Sequence, residues 1–103
     1  MEKIYVIGDA DTVTAFRLGG VEGAVTAPDP ASVGGALAGL AGRPDAGVIL
    51  ITREMAEHAG DGILDWNLNR VKPVIVEIPG IHDERGLGKS LMSYITEALG
   101  ISI

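Results

Sequence analysis

The stretch VIGDADTVTAFRLGGV, residues 6–21, decides the fold. A short apolar run of strand type ends at Gly8, and Asp9 and Asp11 follow where a helical pattern begins. In open α/β sheets such a junction lies at the carboxyl edge of the sheet, where ligands bind. The acid pair is therefore either a metal or phosphoryl site or the cap of a helix.

The rest of the chain repeats this alternation of strand and helix. Three apolar, β-branched runs predict parallel strands buried on both faces, at 4–8, 46–52 and 73–78, and a weaker run lies at 23–27. Helical segments alternate with them, and the last is predicted at about 91–99. The pattern predicts an α/β fold, a small doubly wound, Rossmann-like four-stranded parallel sheet with flanking helices and a C-terminal helix.

Capping residues indicate where the helices begin. The first helix is predicted from Asp11 to Leu18, with Asp9 able to share the capping role. Asp29, Thr52 and Asp61 are predicted to cap the helical segments that follow them. The second helix is rich in glycine, at positions 34, 35, 39 and 42, and this predicts a mobile or closely packed element.

Composition excludes several classes of partner. The 14 acidic and 8 basic residues give a net charge of −6, and no basic run is present to neutralise phosphates, so we expect no nucleic acid partner. Anionic lipid would repel the chain, and no apolar run reaches the roughly 18 residues of a membrane span, so we expect no direct membrane insertion. With no cysteine in the chain, a cytoplasmic location is predicted.

The acid pair lacks the companions that phosphotransfer needs. A receiver-like site requires an acceptor aspartate at the end of the third strand, where this chain has Thr52. The stretch GDADTV also lacks the later glycines of a dinucleotide loop, and its acids would repel a pyrophosphate. We therefore expect Asp9 and Asp11 to be structural caps, with no metal bound.

Other candidate chemistry is also weak. The stretch DERGLGKS, residues 83–90, ends like a phosphate-binding loop, but Asp83 stands where the first glycine is required. His58 and His82 lack the spacing of metal ligands and are expected at the surface. The sequence thus predicts no catalytic residues and no cofactor.

The opening stretch resembles the N-terminal signature of the F subunit of the archaeal-type and V-type rotary ATP synthases. The matching residues are Ile7, Gly8, Asp9, Asp11, Thr12, Val13, Phe16, Arg17, Leu18, Gly20 and Val21. VILIT (48–52) followed by Glu54 and Ala56, PVIVEIPG (73–80) and EALGI (97–101) are also similar to the family. Two departures are Gly19, where alanine is usual, and the glycine-rich stretch 34–44.

This resemblance implies a non-catalytic central-stalk subunit rather than an enzyme. Its expected partners are the coiled-coil D subunit of the shaft, the catalytic and regulatory A and B subunits, and the C subunit on the membrane side of the stalk. The complex would couple ATP synthesis or hydrolysis to proton or sodium ion transport, with this subunit peripheral on the cytoplasmic face of the cell membrane. The alternative from another class is a stand-alone receiver-like or small-ligand-sensing α/β domain.

The sequence also indicates where partners would bind. Residues 1–80 are predicted to form the α/β sheet domain, and 81–103 a flexible loop and C-terminal helix, either packed on that domain or acting as a movable arm. The candidate interface residues are Phe16, Arg17, Leu18, Leu91, Ile95, Leu99, Ile101 and Ile103.

Overall fold

A computed structural model describes residues 2–82, which form four strands and four α-helices. The strands are β1 (Lys3–Ile7), β2 (Val25–Thr26), β3 (Ala46–Thr52) and β4 (Val74–Ile78). The helices are α1 (Ala10–Leu18), α2 (Val33–Ala41), α3 (Arg53–Ala59) and α4 (Gly62–Asn69), and a 3₁₀ turn (Pro30–Ser32) precedes α2. The four predicted strands are confirmed; the predicted helix at 91–99 lies outside the described residues.

The strands form one parallel sheet in the order β2-β1-β3-β4. Val6 of β1 pairs with Leu50 of β3, and Leu50 pairs with Val76 of β4. Parallel neighbours need a crossover connection, and the helices supply it. The predicted doubly wound α/β architecture is confirmed for this part of the chain.

Alternate residues of the strands build a core on each face of the sheet. One core joins Tyr5, Ile7, Ile49, Ile51 and Ile75 to residues of α2 and α3, with Ile63 and Trp66 of α4 at its border. The other joins Val6, Leu50 and Ile78 to Val13 and Phe16 of α1. Because β1 and β3 are covered on both faces, their sequences are almost continuously apolar.

The helix starts agree with the sequence only in part. Thr52 caps α3 as predicted, since its hydroxyl accepts a hydrogen bond from the Met55 amide at 3.4 Å. The predicted cap at Asp29 is wrong: its side chain makes no capping bond, and only its backbone carbonyl accepts a hydrogen bond there, from the Ser32 amide at 2.9 Å. Asp61 also makes none, since its backbone (φ −84°, ψ 0°) lies outside the extended region that places a capping side chain.

The glycines of α2 do not mark close packing. A Cβ added at Gly34, Gly35 or Gly39 would meet nothing within 4 Å, so of the two alternatives, a mobile or a closely packed element, close packing is wrong and mobility stays a prediction. A close approach occurs instead at Gly23, where a Cβ would collide with the backbone carbonyl of Ile4. Only glycine fits there, and this fixes how the chain enters β2 beside β1.

A hydrogen-bonded cluster closes the amino end of the central strands. The buried Tyr5 hydroxyl donates to Asp45 Oδ1 at 2.6 Å and accepts from Arg43 Nε at 2.8 Å. The bond to Asp45, together with burial, raises the pKa of Tyr5, and the same bond lowers the pKa of Asp45. The cluster ties the turn before β3 to β1.

The outer edge of β4 is covered by side chains of α4. The Asn67 amide group donates to the Ile75 carbonyl at 2.9 Å and accepts from the Ile75 amide at 3.1 Å. The neighbouring Trp66 donates from Nε1 to the Pro73 carbonyl at 2.8 Å. Asn67 thus bonds both backbone groups of Ile75, as a neighbouring strand would, and protects an edge that invites unwanted strand pairing. None of the helices within residues 2–82 is long and apolar enough to cross a membrane.

We expect the Asn67→Ala variant to lose about 1–2 kcal/mol of unfolding free energy, because two hydrogen bonds to the edge of β4 disappear. Urea unfolding monitored by circular dichroism measures the loss. Asn69→Ala is the matched control, because the Asn69 side chain makes one exposed bond to the Asp65 carbonyl. A change within about 0.5 kcal/mol is expected there. Equal losses in the two variants would contradict the role of Asn67 at the edge.

Candidate functional site

Three chain segments meet at the carboxyl edge of the sheet, beyond β1, β3 and β4. At two points the segments come so close that the residue there is glycine. A Cβ on Gly8 would lie 2.8 Å from Thr52 Cγ2, and a Cβ on Gly80 would lie 3.4 Å from Asp9 Oδ1. The end of β1, the start of α3 and the segment after β4 therefore surround the first turn of α1.

Asp9 is the cap of α1. Its backbone is extended (φ −65°, ψ 163°), and its Oδ2 accepts from the Thr12 amide at 3.1 Å. Its Oδ1 accepts from the Thr12 hydroxyl at 2.5 Å. The capping interpretation is confirmed for Asp9 and wrong for Asp11: α1 begins at Ala10, so Asp9 caps it and Asp11 lies in the first turn.

Thr12 connects this cap to the segment after β4. Its side chain is 0% exposed, and its Oγ1 accepts a hydrogen bond from the Ile81 amide at 3.0 Å while donating to Asp9. One hydroxyl thus uses its single proton and a lone pair to join elements 69 residues apart in sequence. We call Asp9, Asp11, Thr12, Ile81 and His82 the carboxyl-edge clasp.

Asp11 and His82 form the exposed side of the clasp. His82 Nε2 lies 2.8 Å from Asp11 Oδ2. The hydrogen bond with Asp11 raises the pKa of His82, with a smaller contribution from the charge of Asp9. Burial opposes ionisation of Asp9, but the hydrogen bonds from Thr12 and the nearby His82 together lower the pKa of Asp9. Both shifts favour the charged form of the group concerned, the carboxylate of Asp9 and the imidazolium of His82.

The clasp also contains the one group of residues within 2–82 that could offer three ligands to a cation. Single ligand atoms of Asp9, Asp11 and His82 lie within 4.8 Å of one another. Hydrogen bonds from Thr12 and His82 already account for the positions of both carboxylates. Thr52, at the place of an acceptor aspartate, uses its hydroxyl to cap α3. The arrangement is suited to holding three segments together rather than to transferring a phosphoryl group.

A solved structure shares this fold. The crystal structure of the F subunit of the V-type ATP synthase from Archaeoglobus fulgidus superposes with a TM-score of 0.62 at 22% sequence identity, covering 75% of this chain and 96% of that chain. At this identity the likeness shows the fold alone. The sequence itself matches the family described as ATP synthase (F/14-kDa) subunit over residues 4–95.

The chain belongs to the ATP synthase (F/14-kDa) subunit family. Curated relatives agree with this assignment. The F subunit of the A-type ATP synthase of Thermococcus kodakarensis is 35% identical, over 98% of this chain and 97% of that protein. The corresponding F subunit of Pyrococcus abyssi is 37% identical over the same shares of the two chains. The family resemblance stated from the sequence is confirmed.

The structure separates the predicted interface residues of this family member. Phe16 is 2% exposed and packs in the core beneath α1, so its place in a surface interface was wrong. Arg17 and Leu18 are exposed, and Leu18 is 86% exposed. The other candidates, Leu91, Ile95, Leu99, Ile101 and Ile103, lie outside the described residues, as does the loop 83–90.

The sequence did not predict the two contacts of the clasp that join residues far apart in the chain, Ile81 with Thr12 and His82 with Asp11. His58 and His82 lie at the surface as predicted, but nothing local indicated that His82 pairs with Asp11, 71 residues away. Thr12 was named only as one of the residues that match the family signature. The one available signal was the position of His82 a few residues past β4, since parallel strands end at the same edge of a sheet.

Replacing Asp9 by alanine should lower the unfolding free energy by about 1 kcal/mol, because the cap of α1 is lost. Asp11→Ala should cost less, since Asp11 makes no capping bond. Asp9→Asn is the conservative variant and should fall between wild type and Asp9→Ala, because asparagine still caps through its one carbonyl oxygen but its amide nitrogen cannot accept the second bond from Thr12. Denaturant melts of the three variants rank them; a larger loss in Asp11→Ala than in Asp9→Ala would overturn the assignment of the cap.

The raised pKa of His82 gives a pH dependence of known sign. The folded-state pKa lies above the ordinary 6.5, so the stabilising pair is fully present below that pH and is lost as pH rises through the folded-state value. NMR titration of the His82 ring should show the raised midpoint, and Asp11→Asn should bring it down. The His58 signal serves as an internal reference for general effects. An unchanged His82 midpoint in Asp11→Asn would show that the pair does not form.

Proposed function

We propose that the chain is a non-catalytic central-stalk subunit of an A/V-type rotary ATP synthase. It binds the coiled-coil D subunit of the shaft and helps couple ATP synthesis or hydrolysis to proton or sodium ion transport. The observation that carries the proposal is the family match over residues 4–95, with relatives named as the F subunit of A-type ATP synthases aligned over 98% of the chain.

The chemistry of the carboxyl edge supports a binding role. The capping carboxylate of Asp9 is held by Thr12, Asp11 is paired with His82, and the Thr52 hydroxyl caps a helix. Each group that a ligand-dependent reaction would employ at this edge has a structural partner in the chain itself. The fold then serves as a rigid body that presents surfaces to neighbouring subunits.

The proposal extends to partners and location. The A and B subunits form the catalytic ring around the shaft, and the C subunit links the shaft to the membrane side. The chain itself lies in the cytoplasm and reaches the cytoplasmic face of the membrane through these partners. Arg17 and Leu18 remain a predicted contact with a neighbouring subunit, and we propose that residues 90–103 act as an arm toward the stalk or the catalytic ring.

Reconstitution tests the function and the arm together. The full chain should co-elute with the shaft subunit in size-exclusion chromatography and should stimulate ATP hydrolysis by the reconstituted A, B and D subunits. A chain lacking residues 90–103 should keep a cooperative melt and shaft binding but lose part of the stimulation. Failure of the full chain to bind the shaft subunit would refute the stalk assignment.

If the shortened chain is unfolded by circular dichroism, residues 90–103 are part of the folded domain and the arm is rejected. Unchanged stimulation by a folded, shortened chain would reject it equally. Neither result affects the assignment to the central stalk, because shaft binding is measured separately.

A further inference from the structure

Helix α4 has two different faces. Ile63 and Trp66 pack at the border of the core, and Asn67 bonds the edge of β4. The opposite face contains Leu64, 61% exposed, and Leu68, 73% exposed. Residues four apart on a helix are neighbours, with about 6 Å between their Cβ atoms, so the two leucines form one apolar pair. No residue within 2–82 covers this pair.

Two acids border the leucine pair. Asp61 lies three residues before Leu64, and Asp65 lies one residue after it. Together with Leu68 they follow the i, i+3, i+4, i+7 spacing, which places all four residues on one face of the helix. Both are exposed, and neither has an ion pair with any residue from 2 to 82. The face is therefore apolar in the middle and negatively charged at its border.

Two kinds of occupant are disfavoured. An extended peptide cannot add to β4 at Ile75, because Asn67 already bonds both backbone groups of that residue. A second copy of the chain would bring the same acidic face and a net charge of −6, and like charges in contact disfavour association. The apolar centre and the acidic border fit a helix with apolar residues that pack on Leu64 and Leu68 and with lysine or arginine beside them.

We propose that the outer face of α4, formed by Asp61, Leu64, Asp65 and Leu68, is the surface on which a basic amphipathic helix of the shaft subunit docks. This assignment rests on the proposed function, which supplies the shaft as partner. Because the inner face of α4 is bonded to β4 by Asn67 and to the residue before β4 by Trp66, a helix docked on the outer face is fixed to the sheet through α4.

The test compares affinities of full-length variants for the isolated shaft subunit by titration calorimetry. Leu68→Glu should weaken binding at least about tenfold, which corresponds to about 1.4 kcal/mol of lost contact. Asp65→Lys should weaken binding strongly at low salt and less at high salt, because the attraction it reverses is screened by ions. Ala38→Glu, which adds the same charge as Leu68→Glu at an exposed position of α2, is the control and should bind as wild type.

Leu68 is exposed, so its replacement should leave the thermal melt unchanged, and the melt verifies that each variant is folded. If the wild-type chain binds the shaft subunit and Leu68→Glu binds it equally well, the assignment of the docking surface to α4 is overturned, while the proposed stalk function stands. If only Leu18→Glu loses binding, the assignment to α4 is also overturned, and the interface lies at the end of α1. No binding by the wild-type chain refutes the proposed function itself.

Discussion

The parallel pairing of β1 with β3 is the constraint on which the rest of the structure depends. Val6, Ile7, Ile49 and Ile51 have no exposed surface, and burying each such side chain contributes about 1.5–3 kcal/mol. Two adjacent strands buried on both faces need helices on both sides, and α1 on one face with α2 and α3 on the other meet that need. The same pairing brings the carboxyl ends of the strands to one edge, so that Asp9, Thr52 and Gly80 become neighbours.

Hydrogen bonds between polar side chains join the segments at the two ends of the strands, beyond the strand pairing itself. At the carboxyl edge the Thr12 hydroxyl joins Asp9 to the Ile81 amide, and at the amino end Tyr5 joins Asp45 to Arg43. Among the described residues, no buried side-chain nitrogen or oxygen lacks a hydrogen-bond partner. Because an unpaired buried polar group costs about 1–3 kcal/mol, this pairing is what allows polar groups at both ends of an apolar sheet.

The parts of this structure that the sequence predicts are those set by local pattern. Continuous apolar runs located β1, β3 and β4, a weaker run located β2, and the cap at Thr52 was predicted from a threonine just before a helical segment. The predictions that were wrong or missing depend on contacts between residues far apart in the chain and on the exact residue at which a helix begins. Whether Asp9 or Asp11 caps α1 depends on where the helix begins to within two residues, and the bond from Ile81 to Thr12 spans 69 residues.

The interface residues illustrate the same limit at the level of a side chain. Phe16, Arg17 and Leu18 are adjacent in sequence, yet Phe16 lies in the core and Leu18 in solvent, because successive residues of a helix point about 100° apart. A motif shared with a family therefore mixes residues that maintain the fold with residues that meet partners. Exposure separates the two groups, and it draws attention to Leu64 and Leu68, which no motif had singled out.

Helix α4 links the closing of the sheet to the proposed contact with a partner. Its inner face must be polar at Asn67 to satisfy the edge of β4, and this leaves Ile63 and Trp66 as its main apolar contacts with the core. Leu64 and Leu68 on the outer face are mostly exposed, so they contribute little to that packing. If a shaft helix covers them, force on that helix passes through α4 to β4 and, through the β3 pairing, to the centre of the sheet. The proposed stalk role requires such a path, because a surface that moved independently of the core would transmit no torque.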